Sequence, residues 1–467
     1  DNSQSCLPTP DATPPPSVTD APPTIAAMLP QHLDWSAKQS RILTDSGNAL
    51  NYYTSSNGYP FSSDELPHHH LERGDSHAVF QQWARNNNTQ STLIKQLSFP
   101  IVGAWKRPLF AGKWEHSTSE EETVYNVQTR TLFVDLRIPK CKPGYKWEAM
   151  GMKLLLNNVN DDDSNNNNNN INGGIMASCC RQVLENMSDD DLRLYARQHV
   201  FGGFSVIQQH PPTLPPTNNK NMQSLPVCTR HHCIDWNYIP QKSRPRPNKW
   251  YIEGNHQYKD GNDKNNDPFN VWKEWSYATD FNGQCYYWEQ WERIEGDEMG
   301  RGLRVALRKR RRDAERDDDN YVDGILVVVG DHFNYIVGRH LNQMEETPHP
   351  NANNLVELVD CAIKKRDRDT AISYLTLDGG HGTISSGWRI DCAIQSWRHG
   401  EKVFDCIGNG AAGNEVRVVG DGDDIFGWTV HIGDTVWDVY ESSVESACEL
   451  ELTLLSKPES QCQNSRL

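Results

Sequence analysis

The chain has 467 residues with 46 Lys and Arg against 62 Asp and Glu, for a formal net charge of −16; with a pI near 5.5 it is set against non-specific attraction to nucleic acid or to an anionic membrane. A hydrophobic fraction of 36% and a mean hydropathy of −0.74, with abundant Asn, Asp and Pro, imply two folded units carrying long polar insertions. No window reaches the roughly eighteen apolar residues of a membrane helix, so no membrane span is expected and the chain reads as soluble.

Residues 1–32, including TPDATPPPSVTDAPP, lack apolar periodicity and read as a disordered Pro-rich tail. The first residue is Asp1 rather than Met, which reads as a removed leader or a trimmed sequence. Over 33–105 helix-sized pieces such as HAVFQQWARN place Val79, Phe80, Trp83 and Ala84 on one face, giving a helical lead-in. From 106 to 345 the pattern turns to strands: LFAGKWEHSTSEEETVYNVQTRTLFVDLRIP alternates apolar and polar residues. Two low-complexity insertions, 157–174 and 211–221, are too polar to bury. Between them, Ser188 followed by three Asp residues is the N-cap and first turn of a short helix.

Strands resume at HHCIDWNYI, KWYIEGNHQY, VWKEWSYATDF, CYYWEQWERI and GLRVALRK, ending in DGILVVVGDHFNYIVGR. Short strands at roughly ten-residue spacing are the signature of an antiparallel barrel. The basic run RVALRKRRR (304–312), followed at once by DAERDDDN, reads as the flanks of a solvated hairpin loop rather than a phosphate-binding patch. A helical linker over 346–369 leads to a second, smaller strand series at 370–456, in which KVFDCI and ACELELTLL are taken as strands. Residues 457–467 form a tail. The predicted fold is therefore mainly β: two antiparallel lipocalin-like β-barrels with an N-terminal helical extension and low-complexity insertions.

Within the apolar run 321–339, Gly330-Asp331 is a turn or bulge signal, so Asp331 belongs at a kink around a barrel corner. His332 is read as a rim or structural residue, with a catalytic role as the competing view. DGGHGTISSGW (378–388) lacks both the Gly-Lys-Ser/Thr of a phosphate loop and the Gly-x-Ser-x-Gly elbow, and reads as a hairpin.

The succession TLFVDLRIP, HVFGGFSV, HCIDWNYI, VWKEWSYATDFNGQCYYWEQWERI, YVDGILVVVGDHFNYIVGR and GWTVHIGDTVWDVYE, with the Gly-x-Trp of AGKWEH before it, resembles the HRI family of fungal proteins. These are paired lipocalin-like barrels named for interaction with a casein kinase. The resemblance spans about 110–456 apart from the insertions. It implies a non-enzymatic β-barrel protein and carries over no catalytic residues. The chain departs from it in length, in its N-terminal extension and in its additional His and Cys.

Metal chemistry has two nominal clusters. VCTRHHC offers Cys228, His231, His232 and Cys233, but strand alternation sends them to different faces and no second ligand pair accompanies them. His68, His69 and His70 also diverge in direction. Both are read as polar loop or turn residues, and neither metal nor cofactor is expected. Twelve cysteines without a regular framework favour a reducing, intracellular or organellar setting. The sequons at Asn87 and Asn186 matter only in a secreted protein.

In CYYWEQWERI, Tyr286, Trp288, Gln290 and Glu292 share one face, and Tyr287, Glu289, Trp291 and Arg293 the other. Both mix rings with charge, which is unusual for a dry core. One explanation is a ligand cavity, with Arg137, His199, Asp235, Trp236, Trp288, Glu289 and Arg293 as its binding residues. The other is a buried ion pair such as Arg137 with Glu289, plus cross-strand aromatic pairs. Function is accordingly expected to be that of a lipocalin-like protein holding a small apolar or amphipathic ligand, or a protein partner. The alternative is a barrel isomerase or hydrolase using His199, Glu289 or His332 as acid or base. A third class is a scaffold working through residues 1–100 and the insertions.

Overall fold

The computed structural model describes residues 101–112, 116–118, 122–139, 180–196, 198–208, 225–239, 248–254, 270–276, 285, 287–294, 302–309, 322–339, 352, 354–408, 415–420 and 425–455. The Pro-rich tail, the lead-in helices up to residue 100, both polar insertions, Trp114, the histidines at 68–70 and the sequon at Asn87 lie outside these residues. Two antiparallel sheets dominate.

The first sheet contains β1 (Gly103–Gly112), β2 (His116–Thr118), β3 (Glu122–Gln128), β4 (Leu132–Pro139), β5 (His199–Gln208), β6 (Val227–Asp235), β7 (Asn248–Gly254), β8 (Val271–Ser276) and β9 (Tyr287–Arg293). The strands neighbour one another in the order β2-β1-β3-β4-β5-β6-β7-β8-β9, and β9 also pairs with β1 from Trp105↔Arg293 to Gly112↔Tyr287. The sheet thus returns on itself as an up-and-down ring. Strand alternation gives it two surfaces. On β4 Leu132, Val134 and Leu136 face outward into a large apolar cluster, while Phe133, Asp135 and Arg137 face inward. Because β1 starts at Gly103, the last residues of the expected helical lead-in are strand instead.

The second sheet contains β10 (Arg304–Lys309), β11 (Gly324–Val329), β12 (His332–Val337), β13 (Asp378–Thr383), β14 (Arg389–Ala393), β15 (Val416–Val419), β16 (Thr429–Ile432) and β17 (Thr435–Ser442). Its order is β14-β13-β12-β11-β10-β17-β16-β15. Two expectations are corrected here. Strands β10 to β12, assigned to the first barrel through 345, belong to the second sheet, because β10 pairs with β17 and β12 with β13. Nor does the second sheet close: β14 and β15 are its two ends, with no pairing between them among the described residues.

Membership in the second sheet explains the apolar run. Every residue of β11 is buried. Ile325, Val327 and Val329 join the cluster shared with the barrel, whereas Leu326 and Val328 join the cluster on the other side. A strand covered on both faces loses polar alternation. Gly330, with φ of 58°, and Asp331 form a two-residue hairpin turn between Val329 and its partner His332, so the site is a tight turn and not a barrel corner. Asp331 accepts from Ser385 N at 2.7 Å and Ser385 Oγ at 2.5 Å.

Helices fill the remaining edges: α1 (Asp189–Tyr195), α2 (Leu355–Lys364), α3 (Arg368–Tyr374), α4 (Val403–Ile407) and α5 (Ala447–Leu455). Ser188 caps α1 in a capping box with Asp191, as the sequence indicates. KVFDCI and ACELELTLL, expected as strands, are α4 and α5. In α5, Leu450 and Leu454 are buried four residues apart, a helical period hidden beneath the local Glu/Leu alternation. GLRVALRK, expected as a strand, is β10, but its basic residues are not all solvated. There Arg308 is buried and donates to Asp323 Oδ2 at 2.9 Å.

The two sheets pack face to face, chiefly through β3, β4 and β5 of the ring against β11, β12 and β13. Close approach depends on glycine at two points. A Cβ on Gly202 would meet Ile336 Cγ2 at 3.0 Å, and one on Gly379 would meet Val200 Cγ2 at 3.0 Å. Polar ties cross the same boundary. Asn334 Nδ2 donates to Tyr125 O at 3.1 Å and Val134 O at 2.9 Å, and the Glu441 carboxylate accepts from Arg130 N and Thr131 N at the β3–β4 turn.

Candidate functional site

Inside the ring, strand after strand turns a charged or aromatic residue to the centre. Burying a charge costs several kcal/mol unless a partner compensates it, and the partners come from distant parts of the chain. Arg107 on β1 contacts Glu122 on β3 and donates to Glu289 Oε1 at 2.7 Å. Arg137 on β4 donates to Glu289 Oε1 at 3.2 Å and to Asp135 Oδ1 at 2.8 Å. Arg230 on β6 donates to Asp135 Oδ2 at 3.3 Å and to Gln128 Oε1 at 2.9 Å. All of these groups are buried.

The electrostatic consequences follow from burial and pairing. Burial lowers the pKa of Arg107 in spite of Glu289. For Arg137 burial acts the same way, but Asp135 and Glu289 outweigh it and hold its proton more firmly than usual. Burial works against ionisation of Asp135, yet the arginines keep its pKa below the ordinary value. Glu274 differs. Burial, with the Glu289 charge beside it, pushes it up to about 8. Its Oε1 accepts from Tyr287 OH at 2.9 Å, and it has no salt bridge to Arg, Lys or His among the described residues.

An aromatic layer lies next to this charged layer. Trp272 stacks with Trp250 at 5.4 Å and with Trp291 at 5.7 Å, and meets Trp105 edge-on at 5.8 Å. The Arg293 guanidinium covers Trp105 at 4.2 Å. On the other side, Asp235 receives His232 Nδ1 at 2.8 Å, with His199 Nε2 3.4 Å from its Oδ1. Burial opposes ionisation there, but those two imidazoles hold the Asp235 carboxyl far below the usual carboxylate range.

Several buried polar atoms of this interior have no hydrogen-bond partner among the described residues: the Nε1 donors of Trp250, Trp272 and Trp291, both amide atoms of Asn126, and Oε2 of Glu274 and of Glu289. Each such group costs about 1–3 kcal/mol if left bare. Such groups in folded proteins are usually satisfied by ordered water or by a ligand.

Of the residues singled out in the sequence, the fold brings Arg137, His199, Asp235 and Glu289 together in the ring interior, and Arg293 lies half-buried beside them. Trp236 and Trp288 do not join them. Trp236 packs outside the ring, donating to Ala196 O at 2.9 Å, and its carbonyl accepts from buried Arg339. Trp288 is on the outer face of β9, with Lys273 Nζ 5.1 Å from its ring centre. His332 lies in the second sheet, stacked 5.4 Å from His381, and is remote in topology from His199. In VCTRHHC, Cys228 and His232 face inward while Cys233 packs in the outer cluster; the side chain of His231 lies outside the described residues. Burial pushes the Cys228 thiol up to about 12.

Sequence reasoning missed Arg107, Glu122, Arg230, Glu274 and the indoles of Trp105, Trp250 and Trp272. The signal was present: β8 carries Trp272 and Glu274 two apart, the alternation recognised on β9. Their mutual pairing was not visible, since Arg107 and Glu289 are 182 residues apart.

No protein-family model matches this chain, and neither a curated protein nor a solved structure matches it.

Proposed function

We propose that the ring of β1 to β9 is a lipocalin-like binding barrel that holds a small amphipathic ligand, its apolar part against the tryptophan layer and its polar part against the arginine–carboxylate layer. The observation that carries this reading is the set of buried, unpartnered polar atoms on facing strands. A purely apolar ligand would leave them bare, so the amphipathic half of the initial expectation is the one the interior favours. The ring-closing β1–β9 pairing supports one barrel, whereas the open second sheet departs from the paired barrels that the resemblance implies. Native mass spectrometry of the purified full chain tests the reading: a non-covalent small-molecule mass that is lost on denaturation is expected. A chain free of any added mass, whose tryptophan fluorescence responds to no member of an amphipathic ligand panel, would overturn it.

An enzymatic reading draws on the Asp235 carboxylate between two imidazoles. Glu289 suits it less well, because two arginines occupy its Oε1.

A further inference from the structure

We propose that the ligand of the barrel is a cation, a protonated amine carried on an aromatic or aliphatic body, and that Glu274 is the carboxylate that anchors it. The inference rests on the barrel-interior reading above and adds the charge of the ligand.

Charge balance in the buried layer singles out Glu274. Arg107, Arg137 and Arg230 are matched by Glu122, Glu289 and Asp135, each joined to at least one of the three arginines. Glu274 is the fourth acid of the layer and has no cation of its own at salt-bridge distance among the described residues. Only the Tyr287 hydroxyl reaches it, and its Oε2 is buried without a partner.

Geometry places this carboxylate at a recognition surface. Glu274 stands directly opposite Glu289 across the β8–β9 ladder, so two inward carboxylates are neighbours, and Glu289 Oε2 is also unpartnered. Two strand positions further along, on the same face, Trp272 faces Trp291 in the same register. Both indoles are fully buried, with Nε1 donors that meet no protein acceptor. Neighbouring carboxylates with unpartnered oxygens suit an organic ammonium through charge-assisted hydrogen bonds, and the stacked indoles beside them suit its apolar body. The free indole N–H groups suit an acceptor elsewhere on the same molecule. An anionic ligand would oppose ionisation of Glu274 beside Glu289 and gains no charge pairing there.

Proton linkage supplies an independent readout. The groups facing Glu274 are Glu289 and Tyr287 on β9, Arg230 on β6 and Arg137 on β4. With its pKa at about 8, Glu274 is mostly protonated at pH 7 in the free protein. A bound cation favours the ionised form, so binding at pH 7 releases a proton. Above pH 9 the carboxyl is already ionised and the release vanishes.

The test is calorimetric titration of the full chain with three probes on one frame: 2-phenylethylamine, 2-phenylethanol and phenylacetate, each in two buffers of different ionisation enthalpy. The amine is expected to bind at least about tenfold more tightly than the alcohol, with proton release at pH 7 that disappears by pH 9. Glu274→Gln is expected to abolish both the preference and the release, its thermal melt confirming that it folds. Equal binding of amine and alcohol, or a preference that survives in E274Q, would overturn the cation assignment while leaving the barrel as a ligand site. Failure of all three probes, together with no co-purified mass in the native spectrum, would overturn both.

Discussion

Arg137 shows how a single side chain organises this interior. Its guanidinium joins Asp135 on its own strand to Glu289 on β9, and removing it leaves both carboxylates buried with fewer compensating charges. Arg137→Ala is expected to cost about 3–5 kcal/mol, measured as a fall in the denaturant midpoint. Arg137→Lys should recover only part of the loss, because an ammonium cannot fork between two acids. Glu274 predicts a pH signature. Its folded pKa, raised to about 8, exceeds the unfolded value near 4.3, so the folded state holds an extra proton between those limits. The stability this contributes is complete below the lower limit and is lost as pH rises toward 8. Thermal melts from pH 5 to 8.5 should show the wild type losing ground steadily to Glu274→Gln. His381 has the opposite sign. Burial and neighbouring His332 push it down to about 3, and its Nδ1 meets Asn334 Oδ1 at 2.8 Å. Its contribution is present above pH 6.5 and is lost on acidification.

At the scale of elements, alternation was readable wherever a strand has one polar side, as in VWKEWS and YWEQWER. The pairing of Arg137 with Glu289 was one of two readings of those mixed faces, and the fold supplies it across 152 residues. Partnerships between sheets were not readable. GILVVV and RVALRK look like any other strands until the pairing of β10 with β17 and of β12 with β13 is known, because hydrogen-bond partners far apart in the chain leave no local trace. ACELELTLL misled for a related reason: the alternation is real, but tertiary burial selects the helical pair Leu450 and Leu454. Glycine at 202 belongs to this scale, since it sets how closely β5 lies to β12. Gly202→Val should force the sheets apart locally and cost about 1–3 kcal/mol, read as a lower melting temperature with an unchanged far-ultraviolet spectrum.

The whole molecule is held together by a shared apolar cluster. Val127, Leu132, Val134, Leu136 and Val200 of the barrel interlock with Ile325, Val327, Val329 and Ile336 of the second sheet and with α2 and α3. Two structures that share a core lose it together. Unfolding followed by tryptophan fluorescence, to which buried indoles of both sheets contribute, should coincide with unfolding followed by far-ultraviolet circular dichroism. Separated transitions would show that the two sheets are independent units.

Because β3, β4 and β5 are clamped from behind, the ring has one wall packed on both faces and one whose outer face is half-open. The outward residues of β8 and β9, such as Lys273, Trp275, Trp288 and Gln290, are only half-covered, whereas Val134, Leu136 and Val200 are wholly enclosed. Any widening of the ring is therefore expected in β8 and β9. The second sheet acts as a keel that keeps the opposite wall still.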